Sequence, residues 1–125
     1  MITTEVEKQV ALITSILDLG GRGRKSDVLD NIERREYLRL FPDDLEIKSN
    51  RNELVWRNDV AYTRHHLKLH GYVDGRIKNN WELTERGRKY FCELVSLVQS
   101  EPNLKRLTET GRARAILLAQ RLREG

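Results

Sequence analysis

The sequence predicts a mainly α-helical chain with one small β-hairpin, on three observations. Apolar residues recur at helical spacing in several stretches, glycine or proline closes those stretches, and two β-prone segments stand side by side past the middle. The 125 residues fit one domain with a helical extension, divided here as residues 1–99 and 100–125. At 38% hydrophobic and 34% charged, the chain is too apolar to be generically disordered and too polar to lie in lipid. No apolar run approaches the roughly 18 residues of a membrane span. Glu5 and Glu7 stand where a secretory leader would be basic and then apolar, so a cytoplasmic or nucleoid location is expected, away from membranes. The single cysteine, Cys92, excludes an internal disulfide and a cysteine-framed zinc site, and its apolar surroundings predict a buried, inert thiol.

The first helix is predicted from Thr4 to Leu19, with Val6, Val10, Ile13 and Leu17 on one amphipathic face and Gly20-Gly21 as its stop. Arg22 to Lys25 reads as a basic connector, and Ser26 as the N-cap of a short helix carrying Val28, Leu29 and Ile32 and ending near Arg35. Pro42 interrupts residues 36–50, which read as an ordered loop with room for one short helical turn. A long third helix follows from about Glu53 to His70, with Trp56, Val60, Thr63 and Leu67 on its dry face and Gly71 as its stop. Tyr72–Ile77 and Trp81–Thr84 read as a hairpin with its tip at Arg76–Asn80 and a bend at Asp74-Gly75. Thr84 caps a fourth helix with Tyr90, Phe91, Leu94, Val95 and Val98 on its apolar side, and Pro102 suits the start of a fifth segment running to Glu124. Leu83-Thr84-Glu85-Arg86-Gly87-Arg88 is echoed by Leu107-Thr108-Glu109-Thr110-Gly111-Arg112, and a shared helix-start preference accounts for the echo.

Three helices followed by a two-stranded flap and a fourth helix is the order of a winged helix-turn-helix, here with a C-terminal helical extension. The net charge of +4 is concentrated where that order places its working surface: residues 51–91 carry nine Lys and Arg against five Asp and Glu. On the third helix Arg57, Ala61, Arg64 and Lys68 fall within about 60° of one another beside the apolar face. A major groove admits one helix and rewards polar tips for base edges and cations for phosphates. Asn58 and His65 fit base edges, Tyr62 can stack or donate, Ala61 allows close approach, and Arg57, Arg64 and Lys68 fit phosphates. The hairpin tip, Arg76, Lys78, Asn79 and Asn80, would lie on adjacent backbone, and Arg22, Arg24 and Lys25 form a second backbone contact. Double-stranded DNA is therefore the expected partner. Trp56 and Trp81 read as core residues, since each occupies an apolar position.

No catalytic, cofactor or metal pattern is complete. Pro42-Asp43-Asp44-Leu45-Glu46-Ile47-Lys48 contains the elements of a metal-dependent nuclease, but they crowd into one loop, whereas the chemistry needs carboxylates converging from separate strands. His66 and His70 have the i, i+4 spacing of zinc ligands and lack a third.

The run Asn58-Asp59-Val60-Ala61-Tyr62-Thr63-Arg64-His65-His66-Leu67-Lys68-Leu69-His70-Gly71-Tyr72-Val73-Asp74, followed by Trp81-Glu82-Leu83-Thr84-Glu85-Arg86-Gly87-Arg88, resembles the N-terminal winged-helix domain of Mrr-type restriction endonucleases. The likeness extends over about residues 5–95, with Asp59, Tyr62 and Thr63 departing from the arginine, tryptophan and alanine usual there. It implies a DNA target-recognition module attached to a separate nuclease domain, with modified cytosine as a target by analogy. Two other readings stand beside it. One is a dimeric winged-helix transcriptional regulator whose tail, residues 102–124, pairs with a second copy, and the other is a winged helix that binds protein and not DNA.

Overall fold

The computed structural model describes residues 2–48, 50 and 52–125. Five helices, α1 (Thr4–Asp18), α2 (Lys25–Arg34), α3 (Val55–Leu69), α4 (Glu85–Val98) and α5 (Glu109–Glu124), surround short strands β1 (Arg22–Gly23), β2 (Ile47–Lys48), β3 (Glu53–Leu54), β4 (Val73–Asp74) and β5 (Trp81–Leu83). The mainly helical winged-helix architecture with a C-terminal helix is thus observed.

Helix α1 opens where the Thr3 hydroxyl accepts from the Val6 N–H at 3.2 Å. It closes at Gly20 and Gly21, both at positive φ. The single amphipathic face expected for it needs correction: every residue from Val10 to Ile16 is buried, Thr14 and Ser15 included. The reason is that α2, α3, α4 and α5 all pack on this helix, so it has no wet side between its ends.

The connector after α1 is also more ordered than expected. Arg22 and Gly23 form β1, paired antiparallel with β5 in the register Arg22↔Glu82 and Gly23↔Trp81, and the sheet order is β1-β5-β4. From β1 the backbone enters α2 through extended Arg24, which is the N-cap and supplies no side-chain bond, so Ser26 is not the cap. The Lys25 N–H instead donates to Asn79 Oδ1 of the hairpin at 3.2 Å. The loop between α2 and α3 holds the expected turn, a 3-10 helix over Pro42–Leu45, and also a small unanticipated hairpin in which Ile47 pairs with Leu54.

Helix α3 matches its expected dry face, since Trp56, Val60, Thr63 and Leu67 are its buried residues. Gly71 ends it at φ +78°. The wing ladder is shorter than expected, with Val73 opposite Leu83 and Asp74 opposite Glu82, so the tip begins at Gly75 and not at Arg76. Arg76 turns back to donate its N–H and guanidinium to Asp74, and Asn79 adopts φ +55°, which together bend the chain before longer strands form.

The sequence echo turns out to be a whole joint built twice. At the inner joint the Tyr72 N–H donates to the Leu67 carbonyl, Val73 bridges Leu83, and the Thr84 N–H donates to the Tyr72 carbonyl at 3.1 Å. The Thr84 hydroxyl donates to the Gly71 carbonyl and accepts from the Gly87 N–H. At the outer joint the Tyr37 N–H donates to the Ile32 carbonyl, Leu38 bridges Leu107, and the Thr108 N–H donates to the Tyr37 carbonyl at 3.1 Å. The Thr108 hydroxyl donates to the Glu36 carbonyl and accepts from the Gly111 N–H. A side chain at Gly87 would overlap the Tyr72 carbonyl, and one at Gly111 would meet the Tyr37 carbonyl at 2.8 Å. Hence α3-wing-α4 is nested inside α2 and α5, each pair closed by Leu-Thr-Glu-x-Gly-Arg.

This joint also relocates the start of the last helix, which is Thr108 and not Pro102. The preceding segment is anchored by buried Glu7, which accepts from the Arg106 and Leu107 N–H groups at 2.7 and 2.9 Å. Helix α5 then packs on α1 and α4 through Ala115, Leu118 and Ala119. A polar clamp closes this side. Asp18 accepts from Tyr37 Oη, from Asn31 Nδ2 at 3.0 Å and from Arg114 Nε at 2.8 Å. Burial alone would raise the Asp18 carboxyl, but these hydrogen bonds outweigh it and hold the carboxyl below its usual range. Burial and the Asp18 charge push the Tyr37 hydroxyl up to about 12.

Candidate nucleic-acid interface

With Trp56, Val60, Thr63 and Leu67 turned inward, helical geometry turns Arg57, Ala61, Arg64 and Lys68 toward α2 and the wing, and leaves Asn58, Tyr62 and His65 on the outer ridge. Tyr62 and His65 are exposed and Asn58 is half-buried. Trp56 and Trp81 lie in the core as expected, 1% and 4% exposed.

The wing leans back on the second half of α3. Lys25, Ala61, Arg64 and Lys68 line one side of a groove of about 650 Å³, Arg76, Lys78 and Asn79 line the other, and Trp81 forms its floor. Gly75 permits this approach, because a side chain there would overlap the Lys68 stem. Seven residues singled out from sequence therefore converge on one concavity. Arg22 lies outside it, lining a separate depression with Asp27, Asp30 and Arg34. Arg24 is exposed, 3.7 Å from Asp27.

The cations of this face are held in two ways. Arg57 donates to Asp30 at 2.6 Å and to Glu33 at 3.0 Å, so its charge is matched by two carboxylates of α2. Burial would lower its pKa, and these bonds raise it instead. Lys25 pairs with Glu53 at 2.8 Å, Arg76 with Asp74 at 2.7 Å, and Asn80 donates to Glu82 at 3.2 Å. Arg64, Lys68 and Lys78 have no carboxylate partner among the described residues. Arg64 lies with its guanidinium carbon 5.5 Å from the Trp81 ring centre, and its Nε is enclosed without an acceptor. Burial lowers the Arg64 pKa, yet a guanidinium keeps its proton in water-accessible protein. Sequence reading missed Asp30, Glu33 and Asp74 as the groups that decide which cations are free. The i, i+3 spacing of Asp30 and Glu33 on α2 was the available signal, but it does not reveal which helix they face.

The far flank of α3 is aromatic. Tyr62 meets His66 edge-on at 4.6 Å between ring centres, and His66 Nδ1 lies 3.5 Å from Glu5. His70 stacks on Tyr72, which stacks on Tyr90 at 4.0 Å. The two histidines with zinc-like spacing thus have separate neighbours. Among the described residues no group of three or more His, Cys, Asp or Glu is placed to hold a metal ion. In the nuclease-like loop Asp44 accepts from the Phe41 N–H at 2.7 Å and from Arg106 at 3.0 Å, a structural use of its carboxylate. Cys92 is half-buried, less enclosed than expected, with its sulfur 3.9 Å from the Ala119 carbonyl. No helix is long and apolar enough to cross a membrane.

The family model described as Mrr N-terminal domain matches residues 9–93, a span from the interior of α1 to the middle of α4 that contains α3 and the wing. No curated protein and no solved structure matches the chain.

Proposed function

Because the chain belongs to the Mrr N-terminal domain family, we propose that it is the target-recognition module of a restriction system, binding double-stranded DNA and working beside a separate nuclease domain. In this reading α3 enters the major groove, the wing follows the adjacent backbone, and the protein acts in the cytoplasm on nucleoid DNA. One observation supports it: three cations without carboxylate partners among the described residues, Arg64, Lys68 and Lys78, border a single groove between α3 and the wing. Unmatched cations around a concavity leave a site whose charge is completed by phosphates, and the exposed ridge of Tyr62 and His65 beside it offers groups for base edges.

Use as a dimeric regulator would require residues 102–124 at an interface between copies. Leu107, Ala115, Leu118 and Ala119 are already buried within the chain, which favours a recognition module over that alternative. Modified cytosine as the target follows the family analogy. Selection from a random duplex library containing modified and unmodified cytosine tests the whole reading. Enrichment of duplexes sharing a motif supports it, a preference for modified sites supports the cytosine assignment, and recovery no greater than from protein-free beads overturns it.

A further inference from the structure

We propose that duplex DNA docks off-centre on this surface: the second half of α3 and the wing carry the contact, and the α2-facing first half of α3 lies outside the footprint. This rests on the DNA-binding reading and adds a polarity to it.

At the start of α3 Arg57 is shared by two carboxylates, Asp30 and Glu33, so that these three side chains together carry a net negative charge. Those two acids are not hidden, since their side chains are 65% and 50% exposed, whereas Asp27, on the same helix, is matched by Arg24 at 3.7 Å. A phosphate beside a carboxylate whose charge is not fully matched is repelled, more strongly near a protein surface than in bulk water. A phosphate laid against the cluster of Arg57, Asp30 and Glu33 would therefore meet a net negative charge. Two turns further along α3 the sign reverses, with Arg64 and Lys68 facing Lys78 across the groove and no carboxylate among the described residues paired to any of them.

Preorganisation points the same way. Asn79, at φ +55°, ties the wing tip to the start of α2 through its bond from the Lys25 N–H. Gly75 lets the other end of the tip close on the Lys68 stem. The wing is thus pinned beside α3 before any partner arrives, and its cations need little ordering on binding. In many winged and simple helix-turn-helix domains the first residues of the recognition helix meet the bases. Base contact then falls to Ala61 and His65, with Asn58 at the margin and Lys68 on phosphate.

Affinity for a 20-base-pair duplex, followed by fluorescence anisotropy across a salt series, tests the polarity on the full chain. In the Lys68→Ala/Lys78→Ala protein the affinity should fall at least tenfold and the salt slope by about 2, roughly one per lost phosphate contact. Arg57→Ala should change affinity less than about threefold with an unaltered slope, because its cation is outside the footprint. Both substitutions are checked for retained helicity by circular dichroism. A slope lowered by about one in Arg57→Ala, matching the loss per lysine, overturns the polarity while leaving DNA binding intact. A wild-type chain with no salt-dependent affinity overturns the parent reading instead.

Discussion

Two regions of this molecule hold arginines in opposite ways. Around Asp18 the cations are matched: Arg114 and the Tyr37 hydroxyl close on a carboxylate whose side chain is 2% exposed, Arg35 stands 3.7 Å away, and Asn31 completes the clamp. Around Trp81 they are unmatched, with Arg64, Lys68 and Lys78 bordering a groove and no carboxylate among the described residues bonded to any of the three. The first arrangement fastens α1, α2 and α5 together. The second adds no internal ion pair and leaves its charge to a partner. A net charge of +4 therefore says little about a polyanion site until each cation is assigned to one region or the other.

The contrast is broken most forcefully at Asp18. Replacing it with asparagine leaves Arg114 facing a neutral amide and weakens the bond from Tyr37, and should cost about 3 kcal/mol of stability by chemical denaturation. DNA affinity of the folded fraction should stay within twofold. A comparable loss of DNA affinity would mean that the two regions are not separate. The pH dependence has the same origin. The Asp18 carboxyl is lowered in the fold, so its contribution is present above the ordinary carboxylate range and is lost only as pH falls through the depressed value. The Tyr37 hydroxyl is raised, so its contribution is complete below pH 10 and disappears as pH climbs from 10 to about 12. A denaturation series over pH 8–12 should show this alkaline loss in the wild type and a smaller one in Tyr37→Phe, where Tyr90, also raised by burial, remains.

At the opposite pole, Arg64→Met removes a cation whose Nε lacks a partner and keeps a side chain of similar length over Trp81. DNA affinity should fall about tenfold, equal to about 1.4 kcal/mol, while stability holds or rises. A marked loss of stability would show that Arg64 is structural after all. The smallest effect is expected at Asn79. Asn79→Gly retains the left-handed backbone and removes only the acceptor for the Lys25 N–H, so affinity should drop two- to threefold as the wing tip loosens. Hydrogen exchange at Lys25 should quicken with it.

What could be read from the chain alone follows the same division. The dry face of α3, the stop at Gly71 and the cap at Thr84 depend on residues within one or two turns of each other, and a helical period or a glycine reveals them. The placing of Lys68 beside Lys78 followed from the order of elements, whereas Lys25 was read as part of a second backbone contact and the groove's floor, Trp81, only as core. The pairing of Arg57 with Asp30 and Glu33 spans 27 and 24 residues, and no local pattern announces it. Strand β1 is two residues long and unrecognisable without β5 beside it. The outer joint was visible as an echo of six residues, yet its meaning required Tyr37 and Leu38, which stand 70 residues away from it and carry no motif of their own. The αL position there is Glu36 where the inner joint has Gly71, which concealed the kinship further.

The most direct measurement is a map of backbone amide shifts in the isotope-labelled chain as a duplex is added. The account predicts that perturbations gather on residues 61–68 and 75–80, with α2 beyond Lys25 and the whole of α5 unmoved. Perturbations centred on Asp27–Glu33, or no change on saturating duplex, would contradict it.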